Sequence, residues 1–302
     1  MKFMLFADLH YCPGIFPVDT DRELRLIQQK AEEAGCDFII HAGDLCHNPA
    51  ESREFVDIYN NFHIPSYGVL GNHDTDGLCV EEVIKAYNMP DEYYYFDVGG
   101  YRMIVLNTNY YKLGNEYVRY SLGNYYANGG TRDYIPPAQL EWLEKVIDES
   151  PYPCITISHA SLERANGVKN QEDVRRIFTD ANKKRPGSVL MSINGHHHRD
   201  YLRVLDGILY FDVNSASYDW LDTPHNLYPR ELMDKVFNMK QIVSYTDPLY
   251  CIVTVEGNTI DIQGTETTMF MGVTREMTGN SKYDGGAREV VPKIQTAKIT
   301  LG

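Results

Sequence analysis

Residues 2–10 read KFMLFADLH, a short and continuously apolar run that stops at a carboxylate and an imidazole. A run of this length and continuity suits a strand buried on both faces. The device recurs at DFIIHA (37–42), IPSYGVL (64–70), YRMIVLN (101–107), CITIS (154–158), SVLMSI (188–193) and ILYFDV (208–213). Between these runs apolar residues fall at helical spacing. Phe55, Ile58, Tyr59 and Phe62 form one stripe, and Val80, Val83, Ile84 and Tyr87 another. Leu140, Leu143, Val146 and Ile147 follow Pro136-Pro137, which suits a first helical turn. Val174, Ile177, Phe178 and Ala181 follow Asn170, a candidate N-cap. Strand–helix alternation of this kind implies a layered α/β architecture.

Two regions break the rhythm. Residues 110–134 carry seven tyrosines and four glycines with neither period, and their aromatic load predicts an ordered insert or flap. From about 249 the chain turns β-only: LYCIVTV, a turn at Glu256-Gly257-Asn258, then TIDIQ reads as a hairpin. We therefore expect a catalytic unit over residues 1–264 and a C-terminal extension over 265–302 that ends in the short strand-like KITL.

The bulk numbers narrow the class. The 302 residues are 43% hydrophobic and 23% charged, enough to bury a substantial core. A net charge of −14 argues against nucleic acid as a partner, which would call for clustered Lys and Arg. It leaves anionic substrates open, because bound divalent cations invert the local potential. The six cysteines form no CxxC pair and lie mostly beside apolar residues, as buried free thiols do. MKFMLFADLH has too short an apolar run for a secretory leader, and no run approaches a membrane span. The expectation is a cytoplasmic protein with no membrane association; its oligomeric state is left open.

In open α/β sheets ligands gather beyond the carboxyl ends of the strands. Five of the apolar runs end there in a metal-capable residue. Asp8-Leu9-His10 follows the first, Gly43-Asp44 the second, Gly71-Asn72-His73-Asp74 the third, Ser158-His159 the fifth and Gly195-His196-His197-His198 the sixth. If residues 8 to 10 stay extended, Asp8 and His10 point the same way. Asp, His and Asn together offer hard oxygen and borderline nitrogen donors, which suit manganese, iron or zinc. The absence of a Cys donor disfavours a closed structural zinc site.

The order D-x-H, GD, GNHD, H, GHxH resembles the calcineurin-like metallophosphoesterase family and is similar to its cyclic-nucleotide and small-phosphodiesterase group. The resemblance implies a four-layer α/β/β/α sandwich of two mixed β-sheets flanked by helices, of the metallo-dependent phosphatase type. It also implies two metal ions. One would take Asp8, His10, Asp44 and His198; the other Asp44, Asn72, His159 and His196, with Asp44 shared. Two such ions can share a hydroxide for in-line attack at phosphorus. Asn72 and His73 would face substrate, with His73 protonating the leaving group and Asp74 fixing its tautomer. One departure is Ser158-His159-Ala160-Ser161, where many of the small phosphodiesterases carry His-His-Pro-Pro.

The function implied is hydrolysis of a phosphate ester, a small phosphodiester or nucleotide-type substrate first. A pyrophosphate-type hydrolase or phosphomonoesterase on the same centre is the alternative. A non-catalytic scaffold of the same fold is the competing class, but scaffolds of that kind would be expected to lose ligands and here every position is filled. Of the other histidines, His41, His63 and His225 read as structural, His47 as no substrate contact, and His197 as a support that touches backbone or a carboxylate. Arg132, Arg164 and Arg199 are candidate phosphate contacts.

Overall fold

The computed structural model describes residues 1–12, 19–128, 131–236, 238–281 and 288–302. Its first half places β1 (Lys2–Phe6), α1 (Thr20–Glu33), β2 (Phe38–His41), α2 (Arg53–Asn60), β3 (Ser66–Gly68), α3 (Val80–Ala86), β4 (Tyr94–Val98), β5 (Tyr101–Val105), β6 (Tyr110–Leu113) and β7 (Glu116–Arg119). Next come α4 (Pro137–Asp148), β8 (Cys154–Ser158), α5 (Gln171–Lys184), β9 (Val189–Asn194), β10 (Tyr201–Leu205), β11 (Ile208–Asp212) and β12 (Tyr218–Trp220). The chain closes with α6 (Arg230–Lys235), β13 (Ile242–Ser244), β14 (Cys251–Glu256), β15 (Thr259–Gly264), α7 (Arg275–Thr278), β16 (Asn280–Ser281), β17 (Arg288–Glu289) and β18 (Ala297–Thr300).

Two six-stranded mixed sheets result, ordered β18-β15-β14-β1-β2-β3 and β10-β11-β9-β8-β5-β4. In the first, β1, β2 and β3 run parallel; in the second, β5, β8, β9 and β11 do. Every one of the seven apolar runs is a strand. Alternation along the second sheet decides the layering. Met103, Val105, Ile155, Ile157, Met191, Ile193, Leu209 and Phe211 join the residues of β1 and β2 in one central core. Their neighbours Ile104, Cys154, Val189, Ile208 and Tyr210 pack instead with Leu143 and Val146 of α4 and Val174 and Phe178 of α5. The first sheet is covered by α1 and α2, whose Leu24, Ile27, Phe55 and Tyr59 lie in the central cluster. This is the four-layer α/β/β/α arrangement.

Local details extend or depart from the sequence reading. Helix α1 goes unmarked by spacing because so few residues, Leu24, Ile27 and Ala31 among them, bury an apolar side chain. Asn170 does hold the N-cap position of α5, but its side chain makes no cap bond and pairs with the backbone of Ile135. The Tyr-rich insert carries structure of its own, the β6–β7 hairpin and a 3₁₀ turn at Asn124–Asn128, with 129–130 outside the described residues. Finally, β18 pairs antiparallel with β15, so the 265–302 segment returns to the first sheet. All six cysteines are free, as expected.

One carboxyl is buried without use for its charge. Glu23 in the first turn of α1 is 1% exposed, and neither oxygen has a hydrogen-bond partner among the described residues. Burial pushes its carboxyl from 4.5 up to about 8, beyond what Arg22 can offset. A raised folded pKa means full stability below 4.5 and progressive loss as pH rises to 8. Glu23→Gln is therefore expected to be more stable than the parent at pH 8, by on the order of a few kcal/mol in urea unfolding. The advantage should vanish below pH 4.5. An offset that stays constant with pH would contradict this assignment.

Candidate metal centre

The first sheet delivers Asp8 and His10 after β1, Asp44 after β2, and Asn72 and His73 after β3. The second delivers His159 after β8 and His196 and His198 after β9. The first two loops are laced together by backbone: Asp8 N–H donates to Gly43 O (3.0 Å) and His10 N–H to Asp44 O (2.9 Å). Residues 8 to 10 are not extended. Asp8, His10, Asp44, His196 and His198 all take φ between 47° and 68°. Asp and His tolerate this left-handed region better than most residues, at about 1–3 kcal/mol each. The turn, rather than strand alternation, aims Asp8 and His10 at one point. Glycine appears where no Cβ fits: one on Gly195 would lie 2.6 Å from Asp8 Oδ2.

The side chains converge in neighbouring sets, which a further set of His10, Asp44 and His73 links. Asp8, His10 and His198 place donor atoms within 4.8 Å of one another, and Asp44, His159 and His196 form a second such set. His10 Nε2 is 3.1 Å from His198 Nε2, while His159 Nε2 is 3.1 Å from both His196 Nδ1 and Asn72 Oδ1. Asp44 Oδ2 stands between the groups, 3.2 Å from His159 Nε2 and 3.7 Å from His10 Nε2. The rings of His159, His198 and His10 are each turned by a partner on the nitrogen away from the cluster. His159 Nδ1–H donates to Ala42 O (2.8 Å) and His198 Nδ1–H to Tyr218 O (2.9 Å), while His10 Nδ1 meets His47 Nε2 (2.9 Å). Such contacts leave the Nε2 lone pairs facing inward, as metal-ligating imidazoles require.

Electrostatics agree with a cation site. Asp8 and Asp44 are 0% and 2% exposed. Burial alone would raise both carboxyls, yet His198 beside Asp8 and His159 beside Asp44 hold them below the usual carboxylate range. The cost returns on His159: burial disfavours its charge, but Asp44 and Asp8 drive it up to about 10. A divalent ion there would supply that positive charge and leave the imidazole neutral. Buried nitrogen and carboxylate donors with no thiolate fit manganese, iron or zinc.

Asp74 does not touch the His73 ring, contrary to the sequence expectation. Its two oxygens accept the backbone N–H groups of Asp44, Leu45, Cys46 and Gly71 at 2.8–3.1 Å, and the Tyr87 hydroxyl at 2.9 Å. It is the staple of the Asp44 loop. The partner of His73 Nδ1 is Asp76, at 2.8 Å from Oδ2. His73 N–H donates to Asp44 Oδ1 (2.8 Å). Burial works against charge on this ring, but Asp44 and Asp76 outweigh it and raise the His73 pKa.

A cavity of about 550 Å³ opens over the cluster. Asn72, His73, His196 and His197 line it together with Tyr125, Tyr126, Arg132, Lys169 and Trp220. Arg132 thus borders the site; Arg164 and Arg199 line a neighbouring groove instead, and Arg164 pairs with Asp212 at 3.4 Å. His197 accepts from Ser161 N–H (3.4 Å), as a support would. His41 is buried in β2, His63 pairs with Glu32 and His225 contacts Thr223. His47, read from the sequence as no substrate contact, lies against His10 and His73. Asp76, two positions beyond the GNHD stretch, and Tyr125 and Tyr126, within the Tyr-rich insert, are not singled out individually by the sequence.

The sequence profile of the calcineurin-like phosphoesterases matches residues 1–200, and the chain belongs to that family, whose members use two divalent metal ions. Among curated proteins, the DNA double-strand break repair protein Mre11 of Archaeoglobus fulgidus is 34% identical over 86 residues, 24% of this chain. The match spans 19% of that relative's length. Among solved structures, a dimetal phosphatase from Danio rerio superposes with a TM-score of 0.59 at 13% identity, covering 89% of this chain and 98% of that one. GAP50, the anchor in the inner membrane complex of Plasmodium, gives 0.52 at 13% identity, covering 100% and 89%. Both likenesses speak to the fold. Among the described residues no helix is long and apolar enough to cross a membrane.

The Asp74 staple has a measurable consequence. Asp74→Ala leaves four buried backbone N–H groups and a tyrosine hydroxyl without their acceptor, and should destabilise the fold by about 3–5 kcal/mol in urea unfolding. A loss below about 1 kcal/mol would mean the loop is held by something else.

Proposed function

We propose that this chain is a dinuclear metal-dependent hydrolase of a small phosphodiester or nucleotide-type substrate. Asp8, His10, Asp44 and His198 would hold one ion, and Asp44, Asn72, His159 and His196 the other. The observation that carries this reading is Asp44, buried between two convergent sets of nitrogen and carboxylate donors. When bound, the pair of ions would lower the pKa of water and neutralise charge on the phosphoryl oxygens.

The chain's own groups account for the rest. Asn72, holding its amide between His159 and Tyr125, reaches both the metal donors and the cavity. His73 turns Nδ1 to Asp76 and makes no hydrogen bond through Nε2 among the described residues, so Nε2 serves the substrate. A proton held at Nε2 would serve a departing alkoxide. Tyr126 and Trp220 offer aromatic walls to a base or sugar, and Arg132 and Lys169 offer charge to a further phosphate. Six free cysteines suit a reducing compartment, the cytoplasm.

Asp44→Asn and Asn72→Ala should lower turnover of bis(4-nitrophenyl) phosphate with Mn²⁺ by about a thousandfold, with circular dichroism unchanged. Chelation should do the same, reversibly. Undiminished turnover by a metal-stripped sample would sink the reading. A panel of cyclic nucleotides, mononucleotides, dinucleotide pyrophosphates and glycerophosphodiesters then separates the diesterase from a pyrophosphatase or phosphomonoesterase.

A further inference from the structure

We infer that the tyrosine-rich insert is a working part of the site: through Tyr125 and Asp76 it fixes the His73 ring, so that Nε2 is held on the leaving-group oxygen. This rests on the hydrolase reading above and assigns the insert a role within it.

The contacts form a closed circuit. Asp76 Oδ2 takes His73 Nδ1 at 2.8 Å, and its Oδ1 accepts the Tyr125 hydroxyl at 2.6 Å. That hydroxyl in turn accepts Asn72 Nδ2–H at 3.2 Å. Tyr126 closes over the pair, its hydroxyl 3.1 Å from Asp76 Oδ2 and 3.3 Å from His73 Nδ1. One tyrosine thereby ties a proposed metal donor to the carboxylate that sets the neighbouring histidine. A carboxylate on Nδ1 keeps the proton there and orients the ring, so only Nε2 is left to face the cavity that His73 lines.

The insert is built to hold that position. Tyr125 is 1% exposed and stacks on Tyr120 with ring centres 4.6 Å apart; Tyr120 is anchored by Asp133 at 2.9 Å. The backbone of the insert also docks on the His73 turn, Gly123 N–H donating to Thr75 O (3.0 Å) and Leu122 N–H to Leu78 O (3.2 Å). A mere surface flap would need no such bonds to residues 75 and 78.

In the step itself a hydroxide oxygen would bond to phosphorus as the P–O bond to the leaving group breaks; the electron pair of the broken bond stays on the leaving oxygen, which takes the proton from Nε2 and leaves the His73 ring neutral. Nδ1–H stays directed at Asp76 Oδ2 through the step. Asp76 and Tyr125 are positioning residues: they touch neither phosphorus nor the leaving oxygen.

The effect should scale with how much the leaving group needs a proton. A nitrophenolate leaves nearly unaided, whereas an alkoxide does not. With the Zn²⁺-loaded protein, kcat of Asp76→Asn and of Tyr125→Phe should fall about tenfold or more further on a glycerophosphodiester than on bis(4-nitrophenyl) phosphate. Bound zinc should equal that of the parent. The ¹H–¹⁵N signal of His73 Nδ1–H should shift or broaden in both variants. Equal losses on the two esters, lost zinc, or an unchanged His73 signal would overturn the inference. A parent protein that cleaves neither ester would refute the function first and this inference with it; one that cleaves both isolates the positioning question.

Discussion

Two carboxylates without access to water, Asp8 and Asp44, are the constraint around which the molecule is arranged. A buried anion is tolerated only when paired and hydrogen-bonded, and a pair of them facing several imidazoles calls for positive charge in between. The surrounding backbone makes concessions to keep them there. Five residues of the cluster sit in left-handed conformations, and serine hydroxyls at 215 and 217 close on the Asp8 carbonyl at 2.9 and 3.2 Å. Strain at these positions persists because hydrogen bonds around it over-determine the geometry.

Neither sheet owns the site. The first contributes the carboxylates and Asn72, the second three of the imidazoles, and the gap between them is filled by one continuous apolar core. Packing density in that core therefore fixes distances such as the 3.1 Å between His10 and His198. A core substitution that moves one sheet against the other would be felt at the donors before it was felt in the fold.

The parts of this arrangement that were legible in the sequence are those with a local signature. Apolar runs ending in Asp, Asn or His marked the strands and named the donors, because strand ends and turns are short-range features. The contacts among the donors, by contrast, are long-range: Tyr125 lies 49 residues from Asp76 and 53 from Asn72, and no spacing rule links them. The Asp74 reading failed for a related reason. Adjacency to His73 suggested a side-chain contact, but the 3₁₀ turn at His73–Thr75 carries residue 74 back toward the Asp44 loop and brings residue 76 under the ring. The β4–β5 hairpin did have a signal, the Gly99-Gly100 pair between alternating residues. β4 itself is half-exposed and lacks the continuous apolar run that marks its neighbour β5.

The place of β1 in the first sheet bears on how the chain reaches its native state. β1 lies between β2, some thirty-five residues later, and β14, which pairs Lys2 with Thr254. All proposed donors are present once residue 198 has emerged from a ribosome, yet at that point one side of β1 still has no strand to bond. Until β14 arrives, the loop carrying Asp8 hangs from an open apolar edge, the kind of surface that recruits other chains. Assembly of the site is thus governed by late, long-range pairing, so maturation should be slow and sensitive to crowding by neighbouring nascent chains.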